Sequence, residues 1–173
     1  MIDLRMRVRD IPDFPKPGIV FKDITPLLAD REAFRATIDR FVDRFRGHVD
    51  TVLGIESRGF LIGAAVAYGL GTGVALVRKP GKLPSQTYAA RYELEYGSDS
   101  LEIHHDAFAG HRRVLVIDDL LATGGTASAA VELAERCGGE VVACAFVIEL
   151  AFLKGRQRLA GREVLSLLVY DTP

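Results

Sequence analysis

Residues 114–127 read VLVIDDLLATGGTA. An apolar, β-branched run ends in two adjacent carboxylates, Asp118 and Asp119, and a short Thr/Gly loop follows before a helical pattern begins. The run has the composition of a buried strand. Gly124 and Gly125 lack Cβ, so backbone there can approach a ligand closely. Thr123 and Thr126 add hydroxyls. The amides from Ala122 to Thr126, at a helix start, suit an anion, most naturally a phosphate. Successive strand residues point different ways, so Asp118 and Asp119 can hydrogen-bond vicinal ribose hydroxyls and steer Mg²⁺. The combination reads as a ribose 5-phosphate site. The bland alternative is an acidic strand–turn–helix corner, which the two aspartates beside TGGT make the weaker reading. No Gly-Lys-Ser/Thr is present, which excludes a Walker loop. Gly69, Gly71 and Gly73 have the wrong spacing for a dinucleotide fingerprint and precede a strand instead of following one.

Two more segments carry charge in patterns that suit an anion. In GIESRGF (54–60) an apolar strand runs into a polar turn, Glu56 to Gly59, where a helix starts. Ser57 and the amides of that turn favour an anion, and Arg58 can pair with pyrophosphate. The plainer reading is a capped helix start with a surface arginine. RKPGKLP (78–84) sets Arg78, Lys79 and Lys82 around Pro80 and Gly81. Three cations on one kinked loop suit a polyanion, more strongly where closure excludes water. A solvated basic loop is the plain counterpart. Glu95 alone reads as a solvated acid, although a carboxylate over a site can move a proton. Phe21 alone reads as a core anchor. His48, His104, His105 and His111 have no ligand spacing with cysteines or carboxylates, so no direct metal site is assigned.

The elements that must position these residues follow from periodicity. Pro12, Pro15, Pro17 and Gly18 forbid regular helix in an N-terminal arm, which is expected to be extended and pinned by Phe14, Ile19 and Phe21. Asp30 has the character of an N-cap. Phe34, Ile38, Phe41, Val42 and Phe45 then recur at helical spacing up to Gly47. Strands are expected at 51–55, 74–78, 114–118, 140–150 and 164–170, with helices at 59–70 and from Thr126 to Arg136. The alternation of strand and helix predicts an α/β fold with a mainly parallel sheet, whose ligands bind beyond the carboxyl ends of the strands. Between Arg78 and His111 the pattern changes. Tyr88, Tyr92, Leu94 and Tyr96, then Leu101 and Ile103, alternate like two short strands joined at Gly97-Ser98-Asp99. A hairpin inserted between core strands is a candidate lid, with Gly81 and Gly97 as its pivots.

Length and composition bound the rest. The chain has 173 residues, 49% apolar, with 22 Lys+Arg against 23 Asp+Glu and a net charge of −1. One domain, 1–173, with a real core is expected, and disorder is excluded. A strongly basic nucleic-acid binder is disfavoured. Cys137 and Cys144 read as buried free thiols, which fits a reducing compartment. The charged start has no secretory h-region, and no run approaches the ~20 apolar residues of a membrane span. The expectation is a soluble cytoplasmic domain.

Residues 116–127 resemble the phosphoribosyl-pyrophosphate (PRPP) signature of the type I phosphoribosyltransferases. DFPKPGIVFKDITPLLAD (13–30), GIESRGF, RKPGKLP, LEYG (94–97), LEIH (101–104) and VIDDLLATGGTA are similar, in that order, to the adenine-specific branch of the family. The resemblance runs from about Arg9 to Tyr170. It implies a parallel sheet flanked by helices, with a hood arm (1–30), an inserted β-hairpin lid (79–110) and a PRPP loop (114–127). It implies transfer of a 5-phosphoribosyl group from PRPP to adenine, giving AMP and pyrophosphate. Asp118, Asp119, Ala122, Thr123, Gly124, Gly125 and Thr126 would hold the ribose and its phosphate. Ser57, Arg58, Arg78, Lys79 and Lys82 would hold pyrophosphate. Val20, Phe21, Lys22 and Arg58 would hold adenine, with Phe21 stacked on the ring and Lys22 standing where many relatives carry arginine. Glu95 would act as general acid or base at adenine N7, with Arg58 and Lys82 also catalytic. Mg²⁺ would arrive with PRPP, steered by Asp118 and Asp119, and the enzyme would be a homodimer. Two other readings of the same site are transfer to another purine base and a non-catalytic PRPP-sensing regulator; Glu95 and the RKPGKLP loop argue for catalysis. A structural partner protein using the Phe-rich helix is a third.

Overall fold

Prolines at 12, 15 and 17 deny the first thirty residues a long helix. In the computed structural model, which describes residues 2–93, 98–108, 110 and 112–173, that segment folds back on itself. After a single 3-10 turn (Leu4–Arg7), β1 (Arg9–Ile11) pairs antiparallel with β2 (Phe21–Asp23), placing Asp10 opposite Lys22. α1 (Thr25–Ala29) carries Pro26 in its first turn, where a missing amide proton costs nothing. The expected pins are only partly so. Phe14 is 51% and Ile19 39% exposed, while Leu4, Ile24 and Leu27 are buried and dock the arm. Ile19 belongs to residues 15–20, which overhang a cleft instead of the core, and Phe14 sets its ring edge-on to Phe21 with 5.2 Å between centroids.

α2 (Arg31–Phe45) starts as expected. The Asp30 carboxylate accepts from the amides of Glu32 and Ala33 at 3.0 and 2.9 Å. Ala33, Thr37, Ile38, Phe41, Val42 and Phe45 make its buried face. The remaining order is β3 (Thr51–Ile55), α3 (Arg58–Leu70), β4 (Gly73–Val77), β5 (Thr87–Glu93), β6 (Ser98–His104), β7 (Arg113–Leu121), α4 (Gly125–Arg136), β8 (Glu140–Leu150) and β9 (Glu163–Tyr170). Two 3-10 turns, Ala151–Leu153 and Gly155–Leu159, lie between β8 and β9.

The central sheet has the order β4-β3-β7-β8-β9, with every pair parallel. Helices flank it, so the α/β expectation holds. Val52, Leu115 and Ile117 face α1, α2 and α3, while Leu53, Ile55 and Val116 face α4 and the β5–β6 ribbon. The ribbon is antiparallel, with Ala90 opposite Leu101 and Tyr92 opposite Asp99. Ala90, Tyr92, Leu101 and Ile103 are buried in the main core, so the paired length of the hairpin is fixed to the domain. Leu94, Tyr96 and Gly97, named above for the hairpin, lie outside the described residues, as do Glu95 and His111. Both cysteines are free. Cys144 is buried, which pushes its thiol up to about 12, whereas Cys137 is only half-buried beside Gly138 at the end of α4.

Candidate active site

β3 and β7 are neighbours, but their chains leave in opposite directions. β3 continues through α3 to β4 at one edge, and β7 through α4 to β8 on the other side. This divergence opens a crevice at their carboxyl ends, where parallel sheets bind ligands. A cleft of about 300 Å³ lies there. Glu56, Ser57, Arg58 and Lys79 line one side, and the unbroken stretch from Asp118 to Thr126 lines the other. Tyr92 and Leu101 of the ribbon also reach it. A second, more apolar cleft of about 680 Å³ is walled by arm residues 15–20 and by Leu150, Phe152 and Leu153. Ala122 and Thr123 line both clefts, so the two meet at the turn between β7 and α4.

The two aspartates have different surroundings. Asp119 is 6% exposed and accepts the Arg58 Nε–H. The Asp118 carboxylate accepts the Asp119 amide at 2.9 Å. Burial, and then the neighbouring charge of Asp119, raises the Asp118 carboxyl well above the usual carboxylate range. Gly59 permits this geometry: a Cβ there would stand 2.8 Å from Asp118 Oδ1, so α3 can lie against the end of β7 only without one. Ser57 precedes α3, but its hydroxyl does not cap the helix and it lines the cleft instead.

The basic loop is organised by Glu56. Arg78 donates to both its oxygens, at 3.1 and 3.2 Å, and the Lys79 amide donates at 3.0 Å. Hydrogen bonding from Arg78 holds the Glu56 carboxyl below its usual value. Arg78 also donates to the Lys82 carbonyl at 3.1 Å, and the Gly81 amide donates to Glu102 at 3.0 Å. The Arg78 guanidinium thus braces the loop. Lys79 reaches the cleft and pairs with Asp99 of β6, and Lys82 is exposed outside the cleft lining.

On the arm, Val20 lines the apolar cleft, and the Phe21 ring lies 5.9 Å from the Arg58 guanidinium carbon. Lys22 goes elsewhere. Its side chain is buried, with Nζ 3.0 Å from Asp10 and 4.7 Å from the Tyr170 ring centre, so its charge ties the arm to β9 and is not offered to a base. Glu95 lies outside the described residues.

The loop glycines serve a purpose that spacing alone did not reveal. Gly124 has φ +82°, and a Cβ there would lie 2.4 Å from the Gly155 carbonyl oxygen. A Cβ on Gly155 would lie 2.1 Å from the Ala122 carbonyl. The space left by Gly124 is therefore filled by the chain itself, backbone against backbone. Gly155, and the Glu149–Arg156 pair around it, were not singled out by sequence. Their one signal is an acid, Glu149, near the end of the apolar run EVVACAFVIEL.

This all-parallel sheet flanked by helices, with two aspartates near the carboxyl end of β7 and a Thr/Gly turn facing a basic turn across one cleft, defines an α/β class whose site lies beyond the strand ends. Residues 28–165 match the family model described as Phosphoribosyl transferase domain. The chain belongs to the phosphoribosyltransferase family, within its adenine phosphoribosyltransferase branch. An adenine phosphoribosyltransferase of Syntrophotalea carbinolica is 59% identical over 98% of this chain and 100% of its own. The crystal structure of the Thermoanaerobacter pseudethanolicus enzyme of that name superposes with a TM-score of 0.92 at 51% identity, covering 96% of this chain and 98% of its own. The Saccharomyces cerevisiae enzyme, solved with an imino-altritol bisphosphate and adenine, superposes at 0.89 with 40% identity, covering 95% and 96%.

Proposed function

We propose that this chain transfers the 5-phosphoribosyl group of PRPP to adenine, releasing pyrophosphate and forming AMP. One observation carries the reading: the anion cradle Asp118–Thr126 faces Arg58 and Lys79 across one cleft, and through Ala122 and Thr123 it opens into an apolar cleft under the arm. A sugar phosphate seated on the cradle has room for its diphosphate on one side and a flat base on the other.

The amides of Ala122–Thr126 and the start of α4 take the 5-phosphate. Asp118 and Asp119 accept the ribose hydroxyls, fixing C1 between the clefts so that remote binding energy orients the reaction. For Asp119 to do so, Arg58 swings from its carboxylate to the diphosphate, joined by Ser57, Lys79 and Lys82; Arg78 holds their loop through Glu56. These cations stabilise the charge that leaves as C1 acquires oxocarbenium character. Adenine N9 attacks C1, and Glu95 exchanges the proton at N7. Val20 and Phe21 cover the base, Phe21 by stacking. Arg58 lies between this ring and Asp119, so it touches both halves of the site. Asp118 and Asp119, two carboxylates lining the cleft, would hold Mg²⁺ arriving with PRPP, and the ion would supply neutralisation of the diphosphate charge. Water must be excluded from the activated sugar. Because the hairpin's paired length is core, closure falls to the segment around Gly81 (φ +72°), not to the whole of 79–110.

The functional unit is a homodimer of single domains. Leu61 (56% exposed) and Tyr68 (90%) on α3, with Val74 and Leu76 on the edge strand β4, give an apolar surface beside an open sheet edge, and both features favour association. No helix among the described residues is long and apolar enough to cross a membrane. Two free thiols suit the reducing cytoplasm, where we place the enzyme.

The test is nucleotide formation followed by chromatography, with PRPP and Mg²⁺ and each of adenine, guanine, hypoxanthine and xanthine supplied separately. AMP from adenine alone supports the reading. Turnover of an oxopurine instead refutes the base assignment, and PRPP binding without turnover of any base revives the regulator.

A further inference from the structure

Glu149 is a buried charge that the reaction above does not use. It is 4% exposed at the end of β8. Arg156 grips it with both arms of its guanidinium, Nε to Oε1 at 2.9 Å and Nη2 to Oε2 at 2.5 Å, and Ser166 of β9 donates to Oε2 at 2.6 Å. The third nitrogen of Arg156 donates to the Val164 carbonyl at 2.9 Å. An acid this well satisfied is held in one geometry.

The placement of the pair gives it a purpose. Glu149 immediately precedes and Arg156 immediately follows the six residues Leu150 to Gly155. That segment does two things. Leu150, Phe152 and Leu153 line the apolar cleft. Gly155 presses its backbone onto Ala122 and Gly124, with no room for a Cβ on either glycine. One end of the segment therefore shapes the cleft assigned to the base, and the other props the loop assigned to the phosphate. Resting on the proposed function, we infer that the Glu149–Arg156 pair is a positioning clasp: it closes the 150–155 loop so that Gly155 sets the height of the phosphate loop and Phe152 the wall of the base cleft. Neither residue touches substrate. Anion binding by a row of amides depends on their common aim, so a loop displaced by a fraction of an ångström loses several contacts together.

Two variants probe this in the full-length enzyme. Glu149→Gln keeps the side-chain shape and removes the charge that fixes Arg156. Gly155→Ala leaves the clasp intact and drives a methyl group into the Ala122 carbonyl. The readouts are KM for PRPP, KM for adenine and Tm, with Arg44→Ala as control because it breaks the exposed Arg44–Glu163 pair, neither member of which lines a cleft. A purely structural residue lowers Tm and the active fraction, but it leaves KM of the remaining active enzyme unchanged. The expected result is a rise of about tenfold or more in KM for PRPP in both variants, the scale of one lost charge-assisted hydrogen bond. Adenine KM should rise too in Glu149→Gln, and the control should shift Tm alone. KM values within about twofold of wild type in both variants would overturn the inference. A wild-type enzyme with no saturable dependence on PRPP would instead overturn the functional reading, and this inference with it.

Discussion

Replacing Asp119 by alanine separates binding chemistry from folding, because its environment is one-sided. The carboxylate is nearly enclosed, yet its partner Arg58 is 40% exposed at the side chain. Removing the acid leaves an arginine that turns to water, so the stability cost is that of a partly screened pair, about 1 kcal/mol or less. The catalytic cost is larger. A hydrogen bond to a charged acceptor contributes about 1.5–3 kcal/mol. A ribose hydroxyl held by Asp119 loses that. At the upper end, roughly 3 kcal/mol, the loss is about 10²-fold in kcat/KM for PRPP. The assay is steady-state pyrophosphate release with PRPP varied, beside a thermal melt. Asp119→Asn should retain the melt of wild type more closely and still lose most of the activity, since the shape is kept and the charge is not. Near wild-type kinetics in the alanine variant, with an intact melt, would refute the assignment of the acidic strand end to the sugar.

Other expectations follow from the same geometry. Glu95→Gln should lower kcat and leave both KM values near wild type; a change confined to KM rules out the proton-transfer role. Asp118 has its folded-state pKa raised by burial and by Asp119. Its contribution to stability is therefore fully present below the ordinary carboxylate value of about 3.9 and is lost as pH rises through the raised value. Asp118→Asn, which never ionises, should then melt higher than wild type at neutral pH, with the difference shrinking toward pH 4 and activity lowered throughout; a difference independent of pH contradicts the burial argument. Asp50 behaves oppositely. Hydrogen bonds from Arg113 lower it to about 2, so its stabilisation is present above the ordinary value and is lost as pH falls through about 2. Asp50→Asn should destabilise at pH 7 and be neutral at the acid end of a melt series. Tyr68→Glu combined with Leu61→Glu should give a monomer by light scattering if the α3–β4 face joins two copies, and an unchanged mass places the interface elsewhere.

Much of this architecture could be read from residue order, for physical reasons that differ by element. The buried parallel strands announce themselves because both faces are covered, which makes TVLGI and VLVID continuous apolar runs. Asp30 was legible because a cap is a local device, satisfied within three residues. The Thr/Gly turn that leads from β7 into α4 was legible for the same reason. Contacts between distant segments were not. Nothing local to KGR at 154–156 says that Gly155 lies under Gly124, and nothing local to Lys22 says that Asp10 and Tyr170 claim its ammonium. Phe14 and Ile19 were expected inside because they are apolar, but Ile19 sits on an arm that roofs a cleft and Phe14 packs against Phe21 of the same arm, outside the core. Arg78 looked like a third free cation of its loop, and only the fold brings Glu56 to it.

The central claim is that the turn between β7 and α4 holds the 5-phosphate of a sugar. Titrating ribose 5-phosphate into isotopically labelled protein and following backbone amide resonances tests it most directly. The account predicts saturable shifts largest at Ala122, Thr123, Gly124, Gly125 and Thr126, with smaller ones at Asp118 and Asp119. Saturable shifts centred on the basic loop at 78–84, with the 122–126 amides unmoved, would contradict it.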